Sequence, residues 1–204
     1  MPPRCMHYRP WIGSRYQEGY RDGLKLLILG LSHYRDPDPG ATCHWTNHHI
    51  EKTPDLFWTH VEHVVSGRAL DGAGRKEFWH QVAFSNLLQD CMNAPGDNVT
   101  DEQWTRGRLA FAEIIECTAP DVVFVFAQSA WTHMPDDTEF PGSHSIIDLG
   151  QSDYLYRIRP GYDVLAAAFN HPRNPGCPRE VWHAWSGRLL ANAAGILRGG
   201  SSTR

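Results

Sequence analysis

An apolar run over residues 24–29 ends at Gly30 and is followed closely by Ser32, His33 and Tyr34. A short run of aliphatic side chains is typical of a strand that is buried on both faces, as in a parallel sheet. Glycine lets the backbone turn sharply, or approach a ligand, where such a strand ends. Because ligands bind at the carboxyl ends of strands in an open parallel sheet, we expect Ser32, His33 and Tyr34 to lie in a pocket. The alternative is a strand exit with no functional role.

Two further apolar runs predict buried strands later in the chain. Residues 121–127 are rich in β-branched and aromatic side chains, and residues 164–169 combine Val, Leu and Phe with alanines. Segments of helical periodicity separate these runs, which predicts an α/β fold with a mostly parallel sheet and helices on both faces. The 204 residues suit one domain. We expect it over residues 24–198, between an irregular N-terminal arm at 1–23 and a flexible tail at 199–204.

Capping patterns indicate where several helices begin and end. Thr53, followed by proline, is typical of a helix N-terminus, and Gly67 is placed to end that helix. Thr100, with acidic residues in the next turn, predicts another helix start. Residues 77–84 have amphipathic periodicity, so we expect a helix that ends near residues 85–86. We also expect a hairpin from 145–148 and 154–158, and a final amphipathic helix over 179–197.

The composition limits the class of partner. The formal net charge is −4, which argues against a histone-like basic binder but allows a local basic face. The five cysteines include no CxxC pair, and no apolar run approaches the ~20 residues that span a bilayer. We therefore expect a cytoplasmic protein with reduced thiols and no membrane association. We also expect a monomer. Five arginines of the C-terminal third either form a DNA-facing patch or are scattered over the surface: Arg157, Arg159, Arg173, Arg179 and Arg188.

Three polar segments fall where elements of the predicted fold end, at residues 30–34, 84–86 and 170–174. An asparagine such as Asn86 can donate and accept hydrogen bonds along one planar edge, which suits a nucleobase. A histidine such as His171 can donate to an oxygen that gains negative charge. An aromatic ring can stack on a flat base or form a wall beside it. Together the segments predict a pocket for a planar, polar-edged ring.

In order and spacing, the segment Gly30-Leu31-Ser32-His33-Tyr34, the internal Asn86, and the strand followed by His171-Pro172 resemble the uracil-DNA glycosylase superfamily. The resemblance extends over about residues 24–190. It implies a three-layer α/β/α sandwich around a central, mostly parallel sheet of four strands. It also implies a DNA partner with a modified or deaminated base, which is flipped out of the helix before its N-glycosidic bond is hydrolysed.

The resemblance assigns roles to individual residues. Asn86 corresponds to the asparagine that reads the edge of the base, and His171 to the histidine that stabilises the leaving base anion. Tyr34 corresponds to a wall beside the base. Gly30, Leu31 and Phe84 would complete the base-binding set, Ser32 and His33 would join His171 as catalytic residues, and Pro172, Arg173 and Asn174 would contact DNA.

Ser32 stands where the best-known members of the superfamily carry an aspartate that positions or activates water. A serine is a poor base without a partner. His33 or Asp36 could take over that role, or the barrier could be lowered mainly by stabilisation of the leaving base. A non-catalytic module that binds nucleic acid or nucleotides on the same fold is therefore an alternative function. Arg173 likewise replaces a small serine and could contact phosphate.

Some members of the superfamily hold an iron–sulfur cluster with four cysteines, two of them in a close N-terminal pair. Cys5 and Cys43 lie far apart in this sequence, so we predict no cluster and no other cofactor. A different set of histidines runs from His44 to His63, and histidines spaced four apart on a helix can bind zinc. This leaves a zinc-dependent hydrolase as a third hypothesis, whereas the preferred reading has no metal.

Overall fold

The structure is a computed structural model, and it describes residues 5–146, 153–171 and 178–199. The strands are β1 (Trp11–Ile12), β2 (Leu26–Gly30), β3 (His33–Tyr34), β4 (Ala83–Asn86), β5 (Cys91–Met92), β6 (Val122–Val125), β7 (His144–Ile146), β8 (Asp153–Arg159) and β9 (Tyr162–Ala168). The α-helices are α1 (Ala41–Glu51), α2 (Leu56–Ser66), α3 (Gly72–Gln81), α4 (Asp101–Thr118), α5 (Gln128–Trp131) and α6 (Arg179–Gly199).

The central sheet confirms the mixed α/β architecture but not the expected number of strands. It has seven strands in the order β1-β4-β2-β6-β9-β8-β7. Among the described strands of this sheet, the parallel neighbours are β4, β2, β6 and β9, and the expectation of a four-stranded sheet is wrong for the sheet as a whole. The antiparallel hairpin β7–β8 continues the sheet beyond β9, and β1 pairs with the other edge at β4. Both additions satisfy backbone groups that would otherwise be exposed at an edge.

Helices cover both faces of this sheet. Side chains of α1, α2, α3 and α6 pack into one hydrophobic cluster, and those of α4 and α5 into the other. Within β2, Leu26 and Ile28 belong to the first cluster, and Leu27 and Leu29 to the second. Alternate side chains of a strand point to opposite faces, so β2 is buried on both, as its apolar run predicts.

Two boundaries differ from the expected ones. Helix α3 ends at Gln81, and the segment expected to finish that helix is instead β4, parallel to β2. Burial of Phe84 between neighbouring strands decides this, because tertiary packing outweighs a local helical periodicity. Asp55, not Thr53, caps α2, and its Oδ1 accepts the Phe57 N–H at 2.8 Å. Thr100 caps α4 as expected, within a capping box.

The N-terminal segment packs against the domain. Residues 5–23 contain β1 and one turn of 3-10 helix at Tyr16–Glu18, and the rings of Tyr8, Trp11 and Tyr16 are buried. The predicted DNA-contacting residues Pro172, Arg173 and Asn174 lie outside the described residues, as does the tail after Gly199. Across the described parts of the chain, no helix has both the length and the apolar character needed to cross a membrane.

Candidate functional site

A cavity of about 700 Å³ opens at the carboxyl ends of the four parallel strands. Segments that follow β2, β6 and β9, together with the end of β4, form its base, and the connection between α1 and α2 forms one side. The sequence-predicted residues therefore come together from three separate stretches of the chain. Those that line the cavity are Leu31, Ser32, His33, Tyr34, Phe84, Asn86 and His171.

Gly30 and Asn86 are neighbours across the paired strands β2 and β4. A β-carbon at residue 30 would collide with Asn86 Oδ1, so only glycine leaves room for the amide in its present position. Asn86 is almost fully buried, and its main-chain oxygen accepts a hydrogen bond from Gln89 Nε2 at 2.8 Å. The amide is thus held beside the cavity by the strand pairing and by close packing on Gly30.

His33 forms part of the wall as a neutral ring. Burial lowers its pKa to about 4, and the nearby Asp36 carboxylate acts in the opposite direction. Its Nε2 lies 2.8 Å from the buried hydroxyl oxygen of Thr42, and its ring contacts that of Tyr8. Near neutral pH, His33 therefore carries no charge, and one of its two nitrogens is engaged by α1.

Ser32 also lines the cavity, but its hydroxyl oxygen is buried and has no hydrogen-bond partner in the described chain. Asp36, a sequence-based candidate to replace the missing aspartate, does not line the cavity and accepts the indole N–H of Trp45 at 2.6 Å. Of the carboxylates among the described residues, Asp55 is the one that lines this cavity, where it also caps α2.

Aromatic side chains make most of the remaining wall. Tyr34 and Trp45 are 38% and 42% exposed at the mouth. Deeper in the cavity, the Trp58 and Phe84 rings lie 4.4 Å apart, and Phe57 lies 5.6 Å from the His171 ring. A cavity with flat apolar walls and a single buried amide suits a planar ring with a polar edge.

A buried network behind the cavity was not anticipated from the sequence. Glu62 Oε1 accepts hydrogen bonds from His49 Nε2 at 2.6 Å, Trp79 Nε1 at 2.8 Å and Arg75 Nε at 3.2 Å. His49 Nδ1 accepts the Asp55 N–H at 3.0 Å, so its proton is on Nε2, where it donates to Glu62. This network fixes the start of α2 against the cavity. The available sequence signal was a glutamate within the apolar face of α2, between Val61 and Val64.

The histidines between His44 and His63 do not converge on a metal site within the described chain. Both ring nitrogens of His49 are used by Glu62 and Asp55. His60 is buried near Phe126, and burial, followed by the charges of Arg179, His171 and His63, lowers its pKa to about 4. Among the described residues, no group of three or more His, Cys, Asp or Glu side chains is placed to hold a metal ion. The zinc hypothesis therefore gains no support from the geometry.

Two arginines of the C-terminal third, Arg157 and Arg159, lie away from the cavity, and Arg173 lies outside the described residues. Strand β8 runs antiparallel to β9, and Arg159 pairs with Tyr162 at the start of β9, so Arg157 and Arg159 lie towards the edge opposite the cavity. Arg157 also forms an ion pair with Asp163 at 3.1 Å. Arg179, at the start of α6, lies close enough to His60 to help lower the pKa of that ring.

No protein-family model matches the chain, and no curated protein matches it either. Functional interpretation therefore depends on the chemistry and geometry of the cavity, together with the resemblance in motif order.

Proposed function

We propose that this protein hydrolyses the N-glycosidic bond of a flipped-out uracil or otherwise modified base in DNA. One observation carries the proposal: Tyr34, Asn86 and His171, which are remote from one another in the sequence, line a single cavity at the strand ends. The cavity combines flat aromatic walls, a buried amide and an imidazole. These are the groups needed to hold a planar base, read its edge and stabilise its departure.

In the proposed reaction, the base lies between the aromatic walls and its polar edge faces the Asn86 amide. The bond between C1′ and the base nitrogen breaks, and its electron pair leaves with the base. His171 donates a hydrogen bond to the base oxygen that gains negative charge. Water adds to C1′ through its oxygen and loses a proton to solvent, and the base anion takes up a proton from solvent to become the free base. The products are the free base and an abasic deoxyribose.

Leaving-group stabilisation is the main catalytic contribution in this proposal. The Ser32 hydroxyl is buried, and His33 is neutral with one nitrogen held near Thr42, so neither is placed to act as a strong base on water. A reaction with a well-stabilised leaving group needs less help at the nucleophile. This assignment makes His171 the residue whose loss should matter most.

The first test is base release from DNA. The purified chain is incubated with single-stranded and duplex oligonucleotides carrying uracil, hydroxymethylcytosine or glucosylated hydroxymethylcytosine, and abasic sites are revealed by alkaline strand cleavage. We expect release from at least one substrate, and we expect His171→Ala to slow it about a hundredfold, as for loss of an oxyanion donor. His144→Ala is the matched control, because His144 is exposed on β7 and does not line the cavity. Release by His171→Ala at the wild-type rate would refute the mechanism.

The buried Ser32 hydroxyl favours one second candidate, a non-catalytic module that binds nucleotides or nucleic acid. A binding module needs the aromatic walls and Asn86 but no activated water. Tight binding of nucleosides or DNA, without an abasic product from any substrate of the panel, would select this candidate over the glycosylase.

A further inference from the structure

A second cavity of about 370 Å³ adjoins the first. Four residues line both cavities: Leu31, Ser32, Tyr34 and Ser129. The loop between β5 and α4 and the first turn of α4 form the rest of the second cavity. The shared residues place the two cavities next to each other at the segment that follows β2, as two neighbouring compartments.

The combined space is too large for an unmodified base. The first cavity, at about 700 Å³, already has the volume that proteins use for a drug-sized ligand, which is roughly 300–1,000 Å³. A single pyrimidine ring would fill only part of it and leave the second compartment empty. Ligand sites bury most of the surface of their ligand, so the dimensions favour a base that carries a large substituent.

The second compartment differs from the first in chemistry. Its lining includes Asp97, Asn98 and Ser129, and the part described contains no Lys, Arg or His side chain. The Asp97 carboxylate is held in place because its Oδ2 accepts the N–H groups of Asn93 and Ala94 at 2.9 and 3.0 Å. A fixed carboxylate repels phosphate and accepts hydrogen bonds from hydroxyl groups.

A rigid aromatic ring completes this compartment. Trp104 lines it, and the indole is stacked on His133 with 3.9 Å between ring centroids and 7° between ring planes. A sugar ring presents C–H groups on its faces and hydroxyl groups at its edge. An indole beside carboxylate, amide and hydroxyl side chains matches both parts of that surface.

We propose that the ligand is a base with a neutral, hydroxylated substituent of about the size of a hexose. The flat ring occupies the aromatic compartment, and the substituent occupies the compartment lined by Asp97, Asn98 and Trp104. The inference rests on the proposed function for the identity of the flat ring as a base. The size and chemistry of the substituent are inferred from the volume, charge and polarity of the second compartment.

The test measures binding and so does not require bond cleavage. The full chain is titrated with 5-hydroxymethyl-2′-deoxycytidine and with its glucosylated form, and tryptophan fluorescence is followed because Trp45 and Trp104 line the two compartments. We expect the glucosylated nucleoside to bind at least about tenfold more tightly. Ala94→Leu and Asn98→Leu each place a larger side chain in the second compartment and leave less room there for a substituent. Both variants should reduce this preference to about twofold or less. Ala191→Leu, at an exposed position of α6, is the matched control and should retain it.

Two results would overturn the inference. One is equal affinity for the two nucleosides. The other is a larger gain from a dinucleotide with an unmodified base than from the glucosylated nucleoside, since a flanking sugar would then fill the compartment. The glycosylase proposal fails separately: a strong preference for the glucosylated ligand without any abasic product removes the reaction but keeps the ligand. Release of uracil without a preference for the glucosylated nucleoside would support the reaction and overturn the proposed ligand.

Discussion

At the scale of single residues, the pair formed by Gly30 and Asn86 links the fold to the proposed chemistry. The two residues face each other in the register of β2 and β4, and the amide oxygen of Asn86 occupies the space where a β-carbon of residue 30 would lie. The glycine is therefore required by its neighbour rather than by its own backbone conformation. Its function is to let the amide lie at the edge of the cavity.

We predict that Gly30→Ala displaces the Asn86 amide and slows base release by about the same factor as Asn86→Ala, roughly a hundredfold. Because both changes remove one interaction, the double variant should be little slower than either single variant. Rates are measured by alkaline cleavage, and urea unfolding of each variant checks that the folded state persists. Independent, multiplicative effects of the two changes would show that Gly30 does not act through Asn86.

For Ser32 and His33, the sequence predicts the position of each side chain but not its protonation or burial. The sequence predicts that both lie at the end of a strand beside a pocket, and both line the cavity. The protonation of His33 and the burial of the Ser32 hydroxyl depend on packing against residues that are distant in the sequence. Thr42 engages one nitrogen of His33, burial lowers the pKa of that ring to about 4, and packing covers the hydroxyl oxygen of Ser32.

At the scale of elements, the buried Glu62 connects α1, α2 and α3. It receives hydrogen bonds from His49 of α1 and from Trp79 and Arg75 of α3. The Glu62 side chain is fully buried, and that of Arg75 is 13% exposed. Since His49 also holds the main chain at Asp55, the network ties the helix packing to the wall of the cavity.

We predict that Glu62→Ala lowers the free energy of unfolding by about 3–5 kcal/mol, because it leaves a poorly solvated guanidinium and two buried N–H groups without their acceptor. Glu62→Gln keeps an acceptor oxygen and should cost less. Urea unfolding at neutral pH measures both changes. Glu116→Ala, at an exposed position of α4, is the control and should change stability by no more than about 0.5 kcal/mol. A Glu62→Ala protein as stable as this control would mean that the network contributes nothing.

At the scale of the whole molecule, the charge distribution bears on the proposed DNA partner. The chain has 19 Lys and Arg residues against 23 Asp and Glu residues. Arg157 and Arg159 lie towards the edge of the sheet opposite the cavity. Several cations of the described chain are also paired with carboxylates: Arg15, Arg75, Lys76, Arg106, Arg108 and Arg157.

We therefore predict that DNA binding depends only weakly on salt. Each phosphate neutralised contributes about −0.9 to the slope of log K against log salt concentration, and we expect a total slope no steeper than about −3. Fluorescence anisotropy with a labelled oligonucleotide at several salt concentrations gives this value. A slope of about −6 or steeper would contradict the prediction.

The order of the motifs predicts several residues that line the cavity, and the sequence also predicts the buried strands, the mixed α/β class and several helix ends. These features depend on local patterns, such as the apolar run before Gly30 and the capping box at Thr100. The folded structure was needed to show that residues 83–86 form a strand and that the described part of the sheet has seven strands. It also decided that Glu62 supports the cavity wall and that a second compartment lies beside the first. The physical reason is that strand pairing, burial and cavity shape depend on contacts between residues far apart in the chain, and local periodicity does not record those contacts.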